Sequence, residues 1–169
     1  MTVLPDILAP GLKVVFCGTA ASTISARDRA YYANPTNAFW GSLYTIGLTP
    51  RQFKASEFPQ LLQHGIGLTD IAKHAQGNDS ELNPSDFDAN SLSQKIETYQ
   101  PRMLAFTSKK GASVFFDKPT RKIEYGLQTE KLGTTHFWVL TSPSGAARAY
   151  WDETVWQALA NEVGKISDS

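Results

Sequence analysis

Three short apolar runs limit what this chain can fold into. They are Leu12-Lys13-Val14-Val15-Phe16-Cys17, Met103-Leu104-Ala105-Phe106-Thr107 and His136-Phe137-Trp138-Val139-Leu140. Each is rich in β-branched, aromatic or other apolar residues and lacks the strict polar alternation of a strand with one wet face. Runs of this length and make-up read as strands buried on both faces, which belong to parallel sheets covered by helices.

The intervening segments supply those helices. Phe39, Trp40, Leu43, Tyr44 and Ile46 recur at helical spacing, with Asn37 as a cap and Gly47 as a terminator. Thr49, Pro50 and Gln52 predict a second, short capped helix. Residues 57–64 read as helical up to Gly65, and Ile66 to Ile71 as a short strand or the lip of a loop. The polar, acidic stretch from Gln76 to Asn90 is a solvated connection. Leu92, Ile96 and Tyr99 mark one face of a helix, and another is expected from about Lys109 to Phe116. Asp152 caps a last helix whose inner face is Val155, Trp156, Leu159, Ala160 and Val163. Residues 23–37 read as irregular, and 117–134 as turn-rich without a clear period. The expectation is one domain over residues 1–169, a three-layer α/β/α sandwich around a largely parallel four-stranded sheet.

Composition narrows the chemistry. A single Cys, Cys17, excludes an internal disulfide and a Cys-based metal cluster, and it reads as a core thiol. His64, His74 and His136 have no metal-ligand spacing. Residues 1–20 lack a secretory signal, and no stretch approaches 18 apolar residues, so a cytoplasmic protein off the membrane is expected. Net charge is zero but unevenly placed: +3 over residues 1–55, −5 over 56–100, +5 over 101–148 and −3 over 149–169. Folding alone can turn that into a basic face.

Two small-residue loops carry the functional signal. Gly18-Thr19-Ala20-Ala21-Ser22 and Thr141-Ser142-Pro143-Ser144-Gly145-Ala146-Ala147-Arg148 each follow a buried strand. The carboxyl ends of such strands are where open α/β sheets bind ligands. The first loop has neither the later glycines of a dinucleotide fingerprint nor the Gly-Lys-Ser/Thr of a phosphate loop. The Gly-x-Ser-x-Gly of an α/β-hydrolase is absent. The two loops are expected to meet at one cleft.

The stretch from Ile7 to Gly18 resembles the start of the uracil-DNA glycosylase superfamily, and most nearly its mismatch-specific uracil/thymine-DNA glycosylases. Further matching pieces are Ala33-Asn34-Pro35, Asn37, Phe39-Trp40, Gly47-Leu48-Thr49, Ile96-Glu97, Tyr99-Gln100-Pro101, Trp138-Val139-Leu140 and Pro143-Ser144-Gly145. The resemblance implies hydrolysis of the bond between a base and deoxyribose, with the nucleotide flipped into a pocket. It implies double-stranded, uracil-containing DNA as partner, a monomer, and no cofactor or metal. Tyr32 matches the aromatic position that stacks on the pyrimidine, with Tyr31 as its neighbour and rival. Gly18, Thr19, Ala20 and Asn34 complete the implied base pocket, while Asn37 reads as a helix cap.

Two departures stand out. The family's first loop carries an Asn that holds the attacking water, and Ala20 stands in its place. A methyl group neither orients water nor takes a proton. The second loop begins with Asn in the family and with Ser142 here. Three readings follow. Asp28, between Arg27 and Arg29, substitutes as the catalytic carboxylate; its other reading is a solvated ion-pair partner. Alternatively, loop N–H groups with Ser142 or Ser144 carry a slower reaction by electrostatics alone. In the third reading the protein binds uracil or abasic sites without chemistry. Hypoxanthine is the alternative base. For DNA contact, Lys109 and Lys110 open a helix, and Ser144, Gly145, Ala146, Ala147 and Arg148 follow the second strand end. Ala146 takes the family's wedge position, where the small methyl predicts weak discrimination of the opposite base.

Overall fold

The structure, a computed structural model, describes residues 2–166. Its sheet is built from β1 (Val14–Gly18), β2 (Ile66–Asp70), β3 (Met103–Phe106), β4 (Gly126–Leu132) and β5 (Thr135–Val139), in the order β2-β1-β3-β5-β4. The four strands β2, β1, β3 and β5 are parallel neighbours, and β4 pairs antiparallel with β5. The α/β/α sandwich is as expected, but the sheet has five strands rather than four. The extra strand lies in the stretch 117–134. Its Leu127-Gln128-Thr129-Glu130-Lys131 sequence alternates between half-buried and exposed positions, because an edge strand needs only one inward row.

Alternation along β1 divides the core between two layers. Val14 and Phe16 join a cluster with Phe39, Trp40 and Leu43 of α2 (Phe39–Thr45) and with Trp156, Leu159 and Ala160 of α5 (Glu153–Val163). Val15 and Cys17 join Leu92 and Ile96 of α3 (Ala89–Tyr99) and Ala112 of α4 (Lys109–Phe116) on the other face. Cys17 is fully buried, and burial pushes its thiol pKa up, consistent with a core thiol. No helix among the described residues is long and apolar enough to cross a membrane.

Local signals account for most element ends. Asp88 and Asp152 accept hydrogen bonds from the Ser91 and Thr154 amides, capping α3 and α5. The N-cap of α2 is Ala38 rather than Asn37, which lies one residue earlier and whose Oδ1 accepts from the Phe39 amide at 2.9 Å. Three further details differ from expectation. A short helix, α1 (Thr23–Asp28), forms within the stretch read as irregular, because the Ser22 side chain accepts from the Ser25 amide. The helix expected at Thr49–Gln52 does not form, since the Thr49 hydroxyl donates instead to the Arg51 carbonyl. The following helical segment is a 3₁₀ helix, Ala55–His64, with Pro59 inside it. Proline has no N–H to donate to the carbonyl four residues back, and its ring crowds that carbonyl, so an α-helix is disfavoured there.

Trp156 ties the layers together. It is fully buried, stacks on Phe16 with ring centroids 5.7 Å apart, and donates its indole N–H to the Thr141 carbonyl at 3.0 Å. Trp156→Ala is expected to cost about 3–5 kcal/mol of stability, read as a lower urea midpoint with an unchanged slope.

Candidate functional site

The register Gly18↔Asp70 places the ends of β1 and β2 side by side. A Cβ on residue 18 would lie 2.6 Å from Asp70 Oδ1 and 3.3 Å from the Tyr32 hydroxyl, so only glycine leaves room for the carboxylate. Asp70 is 6% exposed, and among the described residues nothing hydrogen-bonds to its carboxylate. What exposure it has opens into a cavity of about 590 Å³ above the strand ends.

The two small-residue loops form opposite parts of this cavity. Gly18, Thr19 and Ala20 line it from the first, together with Tyr32 and Asn34. Ser142, Ser144, Gly145, Ala146 and Ala147 line it from the second. The second loop meets the segment before α2 at Thr36: a Cβ on Gly145 would overlap the Thr36 side chain, and Arg148 donates to the Thr36 carbonyl at 3.2 Å. The polar stretch 76–90, expected as a solvated connection, supplies a further wall, Gly77 to Ser80. It is pinned by Gly77 N–H to the Ala21 carbonyl (2.9 Å) and by Thr19 Oγ1 to Asp79 Oδ1 (2.7 Å).

Several side chains are already committed. Tyr32 adopts a left-handed backbone, φ +52°, a conformation costly for a non-glycine residue and common at functional sites. Its ring stacks on Phe39 at 3.9 Å, and its hydroxyl shares a 3.2 Å hydrogen bond with Thr107 Oγ1. Burial, then the charge of Asp70, keeps this phenol protonated well above its ordinary range. Tyr31, the neighbour that the sequence left as a rival, also borders the cavity but is 2% exposed, donates to the Pro5 carbonyl and accepts from Lys73 Nζ. Asn34 Oδ1 accepts from the amide and hydroxyl of Thr36, leaving the amide nitrogen of Asn34 as its remaining donor. Ser142 Oγ accepts from the Ser144 amide at 3.2 Å.

Four of the expected residues are not among those lining the cavity. Asp28 ends α1 in an ion pair with Arg27 at 2.8 Å, and its pKa lies below the ordinary carboxylate value because of that hydrogen bond. Lys109 sits 4.5 Å over the Tyr125 ring, and Lys110 borders a separate hollow beside Phe87. Arg148 is held by Thr36 as described. Among the described residues, no Lys, Arg or His lines the cavity, whereas Asp70 and Asp79 do.

Asp70 is therefore the group that sequence reading passed over. Burial is the main force on it, Lys73 opposes, and Asp6 reinforces; the balance raises its pKa to about 6. Behind it lies a polar cluster. Asp6 accepts from Thr69 Oγ1 at 2.6 Å and pairs with Lys73 at 3.0 Å and Lys95 at 2.7 Å. Burial works against the charge of Asp6, but Lys95, Thr69 and Lys73 outweigh it and hold the carboxyl below its ordinary value. Asp6 is thus satisfied and Asp70 is not. The available signal was positional, since a carboxylate at the carboxyl end of a buried parallel strand stands where this fold class places ligands. Among the described residues, no group of three or more His, Cys, Asp and Glu is arranged to hold a metal ion.

Comparison with known proteins agrees with this layout. A family model described as the uracil DNA glycosylase superfamily matches residues 5–160. The fold is also similar to the solution NMR structure of a Methanosarcina acetivorans protein put forward as a uracil DNA glycosylase. That match has a TM-score of 0.65 and 23% identity, and covers 95% of this chain and 96% of the other. At that identity the likeness speaks for the fold, while the family match spans nearly the whole chain. On that match, which spans both strand-end loops and the sheet between them, the chain belongs to the uracil DNA glycosylase superfamily.

Proposed function

We propose that the protein is a monofunctional DNA glycosylase that takes uracil from DNA and hydrolyses its N-glycosidic bond, with Asp70 in the role vacated at Ala20. The observation that carries this reading is the buried, unpartnered carboxylate opening into the cavity beside Tyr32. The cavity volume of about 590 Å³ suits a nucleobase with part of its sugar.

The chemistry follows from charge. As the bond from C1′ to the base breaks, the sugar gains positive charge and uracil leaves with the electron pair. Ionised Asp70 stabilises the cationic sugar and orients a water toward C1′, then accepts that water's proton as the C–O bond forms. The face of Tyr32 not covered by Phe39 stacks on the base, and the Asn34 amide donates to a uracil carbonyl. N–H groups of the 18–22 loop, with the hydroxyl of Ser142 or Ser144, receive the departing anion. Ser144, Gly145, Ala146, Ala147, Arg148, Lys109 and Lys110 contact the DNA around the lesion. Asp28, tied to Arg27, is left as a surface ion-pair partner in this scheme.

The second reading is lesion binding without chemistry, possible because Ala20 and Ser142 replace the two family Asn side chains. Single-turnover assays decide between them, using uracil opposite G, opposite A and in single strands, with hypoxanthine as a further substrate. Asp70→Asn is expected to lower uracil release by at least about 100-fold, while Asp28→Asn stays within about twofold. Wild-type release should rise with pH through about 6, as Asp70 ionises. Full activity in Asp70→Asn would overturn the assignment. Absence of release from every substrate, with tight abasic-site binding, would establish the second reading.

Stability provides an independent check. The folded-state pKa of Asp70, about 6, lies above the ordinary 3.8. The folded state therefore holds a proton that the unfolded state releases between those values. This contribution is complete below the lower value and is lost as pH rises through about 6. Asp70→Asn removes the penalty, so at pH 8 the variant is expected to be more stable than wild type by roughly 1–3 kcal/mol, with the difference shrinking toward pH 4. Urea unfolding at the two pH values measures it.

A further inference from the structure

An aromatic ring stands uncovered on the second strand-end loop. Tyr150 closes the 3₁₀ segment Gly145–Tyr150 and is 77% exposed, more than any other large hydrophobic residue among those described. No described residue gives it a hydrogen bond or a ring contact. Its root, by contrast, is fixed. The Ser144 side chain accepts from the Ala146 amide, Ala147 N–H donates to the Ser144 carbonyl, and Trp151 N–H donates to the Arg148 carbonyl. Trp151, the next residue, packs on Trp156 with ring centroids 5.3 Å apart.

The helix type sets where the ring stands. Side chains three residues apart eclipse in a 3₁₀ segment, separated by about 6 Å along its axis. Ala147 lines the cavity, and Tyr150 is three residues beyond it on the same face. Arg148, two residues before Tyr150, is exposed and is the one charged residue of 141–151, while Asp152 and Glu153 follow at the start of α5. The other exposed aromatic near a strand end, Tyr125, already has the Lys109 ammonium over its ring.

A duplex that gives up a nucleotide to a cavity loses a stacked base and exposes the faces of its neighbours. The cavity-lining Ala146 and Ala147 have too little side chain to replace it. We propose that Tyr150 stacks on the base faces exposed when the target nucleotide leaves the duplex, and so keeps the helix open. The inference rests on the proposed function as a glycosylase acting on duplex DNA. It assigns the filling role to a residue beyond the loop position where relatives carry their wedge. Aromatic rings stack on any base, because every base presents a π-face. A single strand has no helix to hold open, so Tyr150 should contribute little there.

The test compares wild type, Tyr150→Ala and Tyr150→Phe on uracil in duplex and in single-stranded DNA under single-turnover conditions. Tyr150→Ala is expected to lose on the order of 5- to 150-fold on the duplex, and to stay within about twofold on the single strand. Tyr150→Phe should retain duplex activity, since the ring and not the hydroxyl does the stacking. Equal losses on both substrates, or no loss on the duplex, would overturn the proposal. A second readout needs no catalysis. 2-Aminopurine placed next to an abasic site in a duplex should be quenched by wild type and by Tyr150→Phe, but not by Tyr150→Ala. If wild type releases no uracil, the glycosylase reading fails, and this fluorescence result alone decides whether Tyr150 stacks. Equal quenching by all three proteins would overturn it.

Discussion

Asp70 and Gly18 face each other across β1 and β2, and the room for the carboxylate exists only because residue 18 has no side chain. Much of the surrounding structure answers to that contact. The first loop begins at Gly18, so the cavity starts where the carboxylate ends. Tyr32 is held in a costly backbone conformation with its hydroxyl near the same point. Beneath them, Lys73 and Lys95 gather on Asp6 rather than on Asp70. The positive charge therefore relieves Asp70 only at a distance, and burial prevails. A fold selected for stability alone would place a neutral or paired group there. An uncompensated charge facing a cavity is the kind of local conflict that functional sites retain.

The layered fold was legible because its buried strands and amphipathic helices are written as period and composition. Val14, Phe16 and their partners form one cluster, and Val15 and Cys17 the other, as a two-residue period demands. β4 was not legible. Gly126, Leu127, Lys131 and Leu132 pair with β5 on either side of a register shift, and that pairing is a non-local fact. α1 escaped for a related reason: its six residues have little apolar periodicity and depend on the Ser22 cap. The cleft itself was foreseeable, since both loops leave strand ends, and most of the loop residues singled out do line it. Asp28 and Asp70 show where such reading stops. Flanking arginines drew attention to Asp28, yet an exposed ion pair is an ordinary fate for a carboxylate. The distinction of Asp70 is desolvation, which comes from residues far apart in the chain; only its position at a strand end hints at it locally.

The 3₁₀ segment after Ser144 illustrates how a short element can be rigid at one end and bare at the other. Hydrogen bonds at Ser144 and Arg148 and the packing of Trp151 fix its backbone. The fixed stem means that little ordering entropy remains to be lost when its side chains meet a partner. The missing side chain at Gly145 leaves room for Thr36, which a Cβ there would overlap.

The cation-free lining of the cavity has a consequence for how salt acts on this protein. Lys109, Lys110 and Arg148, the basic groups assigned to DNA contact, lie outside the cavity lining, where mobile ions reach them. Asp70 lies inside, largely shielded from solvent. Ionic screening acts strongly on exposed charges and weakly on buried ones. In the proposed role on DNA, raising ionic strength works on the encounter with that polyanion through counterion release, while the field at the strand ends is nearly untouched. Association and the events within the cavity are electrically separate compartments of one small molecule.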